Sequence, residues 1–288
     1  MSIAELLTSA EAALRAVGIE SPRREAEWLL AEILHTDRAR LYLMRDRRLT
    51  TSERENFEAL VRRRAQREPL QYILGKCEFY GFEFVVSPAV LIPRPETELL
   101  VEKVAELLSA VTTPRIVDLG TGSGCIAVTL AKLCRRAQIV VTDISAAALE
   151  VARTNAKAHG VAAQIDFRLM DLTQPGALSP QEQFDFVVSN PPYVLEAERE
   201  SLPPEIRNWE PPQALYVYGD GLQFYRCIIN FCYRHLKSEG WVACEMASQR
   251  SQAIAKLFRE AGFFHVQLIK DLSGFDRHLI AQKKNRRE

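Results

Sequence analysis

The chain has 288 residues, 47% of them apolar and 26% charged, which suits a globular protein with one large domain and a smaller one. Basic and acidic residues number 37 each, so the formal net charge is zero and no global field is available to hold a nucleic acid or a membrane surface. The N-terminal residues lack a basic segment followed by an apolar run, and no stretch approaches roughly 18 uninterrupted apolar residues. Neither a signal peptide nor a membrane span is therefore expected. The six cysteines form no Cys-x-x-Cys pair and the five histidines do not cluster with them. The expectation is reduced thiols in a cytoplasmic protein, with no metal site and no disulfide framework.

Residues 1–75 read as helices. Leu6, Leu7, Ala10, Leu14 and Val17 recur at helical spacing until Gly18 stops the pattern. Ser21 and Pro22 open a second helix as cap and first helical residue, with Ala26, Leu29, Leu30 and Ile33 on one face. Thr51 or Ser52 is expected to cap a third, which carries Phe57, Leu60 and Val61. Arg62, Arg63, Arg64 and Arg67 read as a solvated helix face. Trp28, Trp209 and Trp241 read as anchors of a core or an interface.

Residues 76–95 change character. Aromatic and β-branched residues surround Gly81, which suggests a β-hairpin, and Pro93 and Pro95 punctuate its exit. Helical periodicity returns over Glu96–Leu108.

From Arg115 strands and helices alternate. The strand segments are 115–120, 138–143, 165–171, 184–190 and 240–246, and helical segments cover 125–134, 147–160 and 251–262. Two final strands, 264–272 and 277–283, meet at Ser273-Gly274. The tail Lys283–Arg287 reads as a frayed end. Alternation predicts an α/β doubly wound parallel sheet, and the last close pair predicts an antiparallel strand added at its edge. Ligands of such sheets bind beyond the carboxyl ends of the strands. Chemistry is therefore expected after Leu119, Val141, Met170, Ser189 and Ala243.

Gly120-Thr121-Gly122-Ser123-Gly124 follows the first of these strands and opens a helix. Glycines let a backbone turn tightly and approach a ligand. A dinucleotide fingerprint would place its third glycine at position 125, which is Cys125, so the nicotinamide reading is disfavoured. Asp143 ends the next strand, where a carboxylate accepts from ribose hydroxyls. Asp171 ends the third, where it could accept from an adenine amino group. Together these describe an adenosine site without a diphosphate, and S-adenosylmethionine fits it. Asp118 would then place negative charge near the ammonium or sulfonium. The competing reading of 120–124 is a structural turn.

Asn190-Pro191-Pro192-Tyr193 follows the fourth strand. Two prolines fix φ and remove two backbone donors, leaving a rigid run of carbonyl acceptors beside the asparagine oxygen. Such a site accepts from an –NH₂ group, and Tyr193 offers a face for a planar group. The amine could belong to an amide or to an aromatic base. The competing reading is a proline-rich turn.

These motifs resemble class I S-adenosylmethionine methyltransferases that modify amino nitrogens. Pro69–Gly75, Phe79-Tyr80-Gly81, Leu91–Glu98, Glu210–Leu215 and Asp220-Gly221-Leu222 further resemble the HemK/PrmC family. The resemblance implies methylation of the glutamine N5 in the Gly-Gly-Gln motif of class-1 peptide chain release factors, with S-adenosylhomocysteine as coproduct. It implies a helical substrate-recognition domain over 1–75, a β-hairpin linker over 76–95 and a Rossmann-like methyltransferase domain over 96–288. It assigns Gly120, Thr121, Gly122, Ser123, Gly124, Asp143, Asp171, Leu172 and Asn190 to the cofactor. The substrate glutamine falls to Asn190, Pro191, Pro192 and Tyr193, with Arg94 at the mouth of the site. The sequence departs from the family at Leu172, often aromatic there, and at Ala247, usually glycine. A monomer without nucleic-acid, membrane or metal partners is expected. The rival readings are a glutamine methyltransferase of a ribosomal protein, an N6-adenine methyltransferase, a nicotinamide dehydrogenase and a non-catalytic scaffold.

Overall fold

The computed structural model describes residues 1–174 and 178–285. The chain divides into two compact units, Met1–Lys76 with Pro203–Trp209, and Cys77–Leu202 with Glu210–Glu288.

The smaller unit is helical over Ile3–Ala16, Pro22–Ile33, Arg38–Leu43, Thr51–Ala65 and Leu70–Leu74. Leu6, Leu14, Leu29, Leu30, Phe57 and Val61 meet in its core. Two capping boxes start helices here: Ser2 with Glu5, and Thr50 with Glu53. The third expected cap therefore lies one residue earlier than Thr51, because Thr50 holds the extended backbone that lets its hydroxyl reach the Glu53 amide. Ser21 precedes Pro22 as expected but makes no side-chain cap.

The basic cluster is a solvated face only in part: Arg62 and Arg63 are exposed, whereas Arg64 and Arg67 turn inward. Arg64 is buried, bonded to Glu25 at 2.5 Å and to Glu205 at 2.9 Å. Arg63 pairs with Glu68 at 2.6 Å. Arg67 donates to the Val17 and Gly18 carbonyls and to Glu205 at 2.7 Å. Counting charge along a helix misses this, because the partner Glu205 arrives from about 140 residues away. Trp28 is exposed, with the guanidinium groups of Arg24 and Arg38 over its ring.

A hairpin follows, of β1 (Lys76–Phe79), whose first residue ends the smaller unit, and β2 (Phe82–Val85). Its two-residue turn holds Tyr80 at φ 53° and Gly81 at φ 71°. Both lie in the left-handed region that tight hairpins require, and the Glu98 carboxylate accepts from the Tyr80 amide at 2.7 Å. A helix over Pro95–Leu108 follows, with proline at its first turn.

The main sheet is built from β3 (Arg115–Leu119), β4 (Gln138–Asp143), β5 (Ile165–Leu169) and β6 (Phe184–Ser189), then three later strands. Two short segments, β7 (Val194–Leu195) and β8 (Tyr216–Val217), pair apart from it. β9 (Leu236–Glu245), β10 (Phe263–Lys270) and β11 (Asp276–Lys283) complete the order β10-β11-β9-β6-β3-β4-β5. β3 to β6 and β9 run parallel, and β11 lies antiparallel between β9 and the edge strand β10. The expected doubly wound sheet is present, with the antiparallel strand one place in from the edge.

Helices Pro95–Leu108, Cys125–Leu133 and Ala146–Ala158 contribute to one apolar layer, which contains Leu100, Val128 and Leu149. Helices Gln223–His235 and Ser251–Glu260 contribute to a second, with Tyr225, Ile228 and Phe258. Lys283 of the tail is not frayed: it ends β11, and its ammonium donates to the carbonyls of Cys232, Tyr233 and Leu236. Arg286 and Arg287 lie outside the described residues. No helix among the described residues is long and apolar enough to cross a membrane.

Candidate functional site

A cavity of about 350 Å³ lies in the larger unit at the carboxyl ends of β3, β4, β5 and β6, a size typical of small-molecule sites. Gly120–Ser123, Thr142–Ser145, Met170–Thr173 and Ser189–Pro192 each supply part of its wall. Nothing directly after Ala243 lines it. That strand end contributes from behind, as described below.

The glycine loop is shaped by its neighbours. The Gly120 and Thr121 amides both donate to the Thr142 carbonyl at 2.9 Å. Gly122, at φ 55°, donates its amide to Asp143 Oδ2 at 2.9 Å. An added Cβ at Gly122 would meet no atom within 4 Å, so open space lies in front of the loop. Gly124, at φ 79°, starts the helix Cys125–Leu133, and a Cβ there would sit 3.0 Å from the Ala152 Cβ. Only glycine fits that close approach. The helix N-terminus behind the loop favours a carboxylate.

Asp143 accepts one backbone amide on each oxygen, Gly122 on Oδ2 and Ser145 on Oδ1, which leaves one lone pair on each. Burial raises its carboxyl above the ordinary range despite those bonds. Asp171 spends Oδ1 on the amide and hydroxyl of Thr173. Leu172 lines the cavity and packs against the second apolar layer. Ala247 holds φ −71°, a conformation open to any residue, so nothing there requires glycine.

Asp118 lies behind the loop rather than on the cavity wall. Its Oδ2 accepts from Thr121 at 2.7 Å, and its Oδ1 is buried without a partner. Burial pushes its carboxyl up to about 7, against the lowering effect of the Thr121 hydroxyl. An open glycine cradle, a helix N-terminus and two usable lone pairs on Asp143 fit the carboxylate and ribose of S-adenosylmethionine. The apolar wall at Ile144 and Leu172 suits its adenine.

Asn190, Pro191 and Pro192 line the same cavity. Ser189 anchors them, its hydroxyl donating to the Leu119 carbonyl at 2.7 Å. Arg250 braces the far side through the Tyr193 carbonyl at 2.7 Å and Glu198 at 3.1 Å. Tyr193 does not line the cavity. Its hydroxyl donates to Glu245 Oε1 at 3.1 Å, and burial followed by the nearby Glu245 charge raises it well above the ordinary phenol range. The same carboxylate accepts the Thr97 hydroxyl on Oε2 at 2.6 Å, and Asn190 Nδ2 faces Thr97 Oγ1 at 3.2 Å.

Arg94 lines the cavity and bonds to the buried Glu210 at 2.6 Å. Burial raises the Glu210 carboxyl, with Arg94 acting against it.

Sequence reasoning missed the roles of Thr97, Asn155 and Glu245. A strand-end acid like Asp143 could have flagged Glu245. Nothing local marks the other two.

A profile of the PrmC N-terminal domain family matches residues 5–75, and one of the methyltransferase small domain matches 95–202. A release factor glutamine methyltransferase of Koribacter versatilis is 40% identical over 98% of this chain and 99% of its own length. One of Geobacter sulfurreducens is 42% identical over 90% of this chain and 89% of its own. Among solved structures, the N-terminal domain of human METTL16 in complex with SAH superposes with a TM-score of 0.53 at 19% identity, over 72% of this chain and 77% of that one. That last likeness bears on the fold alone. With glycine cradle, strand-end acid and Asn-Pro-Pro wall in one cavity, and near-full-length relatives at this identity, the chain belongs to the release factor glutamine methyltransferase family.

Proposed function

We propose that this chain moves the methyl group of S-adenosylmethionine to the side-chain nitrogen N5 of the Gly-Gly-Gln glutamine in class-1 peptide chain release factors. The observation that carries the reading is the rigid Asn190-Pro191-Pro192 wall in the cavity that also holds the glycine loop and Asp143. S-adenosylmethionine, when bound, supplies an electrophilic methyl on a sulfonium. Gly120–Ser123 and Asp143 hold its amino-acid and ribose ends, Gly124 packs the loop against Ala152, and Asp171 and Leu172 border its adenine.

An amide nitrogen is a poor nucleophile because its lone pair is delocalised. The Asn190 Oδ1 and the Pro191 carbonyl accept its two N–H bonds. They aim the nitrogen and stabilise the positive charge that grows on it. Alignment of this kind supplies up to about 7–11 kcal/mol at best. The charged nitrogen is acidic and sheds its proton without a dedicated base. Pro192 closes the wall, and Tyr193 supports it from behind through Glu245. Arg94, held by Glu210, borders the mouth.

All of these groups lie in the larger unit. The helical unit is left for gripping the release factor, and the profile match over 5–75 supports its being a domain of its own. We assign the protein to the cytoplasm as a monomer without direct contact to nucleic acid, and its zero net charge supports the last of these.

The decisive assay offers labelled S-adenosylmethionine with release factor, ribosomal protein, DNA and RNA in parallel. Label is expected on the Gly-Gly-Gln glutamine. Label on another acceptor with none on the release factor overturns the reading.

A further inference from the structure

We propose that Thr97 and Glu245 are positioning residues that dictate which end of the Asn190 amide faces the substrate. The inference rests on the amide-gripping role given to Asn190 above.

An asparagine amide has one accepting end and one donating end of nearly the same shape. Only the oxygen can receive an N–H of the substrate, so a flipped Asn190 would present donors to a donor. Something must choose between the two. Thr97 Oγ1 touches both Asn190 and Glu245, at 3.2 Å and 2.6 Å. A hydroxyl owns one proton. The Glu245 carboxylate has none to give, so the Thr97 proton goes to Oε2. Thr97 then has only lone pairs left for Asn190, and the group facing it must be the –NH₂. The Asn190 oxygen is thereby turned away from Thr97, on a wall of the cavity that both residues line.

The chain of orientation is anchored at its far end. Glu245 is 1% exposed and Thr97 is 2% exposed, so bulk water does not compete for these bonds. Glu245 Oε1 accepts from Tyr193, and the Glu245 carbonyl accepts from Tyr225 at 3.1 Å. His278 Nε2 stands 3.8 Å from Oε2, beyond hydrogen-bond reach, so it does not compete with Thr97 as a donor to that oxygen. Two residues of the Asn-Pro-Pro-Tyr run thus refer to one buried carboxylate, which fixes the donor–acceptor sense of the run as well as its shape.

The test compares Thr97→Val, Thr97→Ser and Glu245→Gln, with Thr97→Val repeated in an Asn190→Asp background. Three quantities are read: single-turnover methyl transfer at saturating cofactor, acceptor affinity in the S-adenosylhomocysteine complex, and S-adenosylmethionine affinity. Thr97→Val should slow transfer by about 10–100-fold and weaken acceptor binding, as expected when a buried polar group is mis-partnered. Cofactor affinity should hold, which also verifies folding. Thr97→Ser should restore most of the loss. Glu245→Gln keeps the shape but lets an amide donate to Thr97, freeing the threonine proton to draw the Asn190 oxygen, so it should resemble Thr97→Val.

In the Asn190→Asp background Thr97→Val should add little to either the rate or the affinity loss, because a carboxylate has no wrong end. An equal further loss there would reduce Thr97 to a packing role and overturn the proposal, as would wild-type transfer in Thr97→Val. If the wild-type protein labels an acceptor other than a release factor, the release-factor reading falls. The same variants are then compared on that acceptor, so the two failures remain distinct.

Discussion

The side-chain amide of Asn155 donates to the Ser123 carbonyl at 2.8 Å and so ties the glycine loop to the last turn of the helix Ala146–Ala158. The same amide donates to the Val85 carbonyl at 3.0 Å, and its oxygen accepts the Val85 amide at 2.7 Å. One fully buried side chain thereby fastens the end of β2 to the cofactor loop. Asn155→Ala strands the buried Ser123 carbonyl and the amide and carbonyl of the more exposed Val85. It should cost about 2–4 kcal/mol of stability, since each orphan costs roughly 1–3 kcal/mol before relaxation. Urea denaturation measures the loss, and calorimetry should show weaker S-adenosylmethionine binding. A change within about 0.5 kcal/mol would mean the loop is held by other contacts.

Asp118 makes stability depend on pH in a definite direction. Its native carboxyl is pushed up to about 7, mainly by burial. An unfolded aspartate titrates near about 3.9. Between those values the native state keeps a proton that the unfolded chain has lost, so this group's contribution falls as pH rises from about 4 to about 7. The difference corresponds to at most about 4 kcal/mol. Asp118→Asn should flatten that part of the profile. Denaturation midpoints of the ligand-free protein at about pH 5 and about pH 8 provide the comparison. A variant with the wild-type slope would assign the dependence to other groups.

Asp143→Ala should weaken S-adenosylmethionine binding by about 1.5–3 kcal/mol, the value of a hydrogen bond to a charged acceptor. The Gly122 and Ser145 amides lose the same carboxylate, so the loop should loosen as well. Calorimetry on folded variant protein measures this. Unchanged affinity would remove Asp143 from the site.

Asn190→Ala should leave cofactor affinity largely intact and lower the single-turnover rate by about 10²–10³, by analogy with losing one preorganised oxyanion-hole donor. Asn190→Asp keeps an acceptor and should retain partial activity. Full activity in Asn190→Ala would place the amine grip elsewhere.

Local pattern suffices for the parallel sheet, the strand over 138–143 to the residue, the glycine loop and the placement of Asn190–Pro192 after a strand. These are legible because hydrophobic period, turn glycines and proline pairs act over a few residues. It did not announce the helix Gln223–His235. Tyr225, Ile228, Ile229 and Cys232 do recur at helical spacing there, but their aromatic and β-branched neighbours favour strands. The tertiary structure alone decided that Pro203–Trp209 belongs to the helical unit, that β11 runs between β9 and β10, and that Arg64 is buried against Glu205. It also turned Tyr193 away from the cavity and onto Glu245, and placed Thr97 between that carboxylate and Asn190. Apart from the β11 pairing, each of these depends on a partner 50 or more residues distant. Local pattern says which residues leave a strand end, but only packing decides which buried polar group each must find to satisfy its hydrogen bonds.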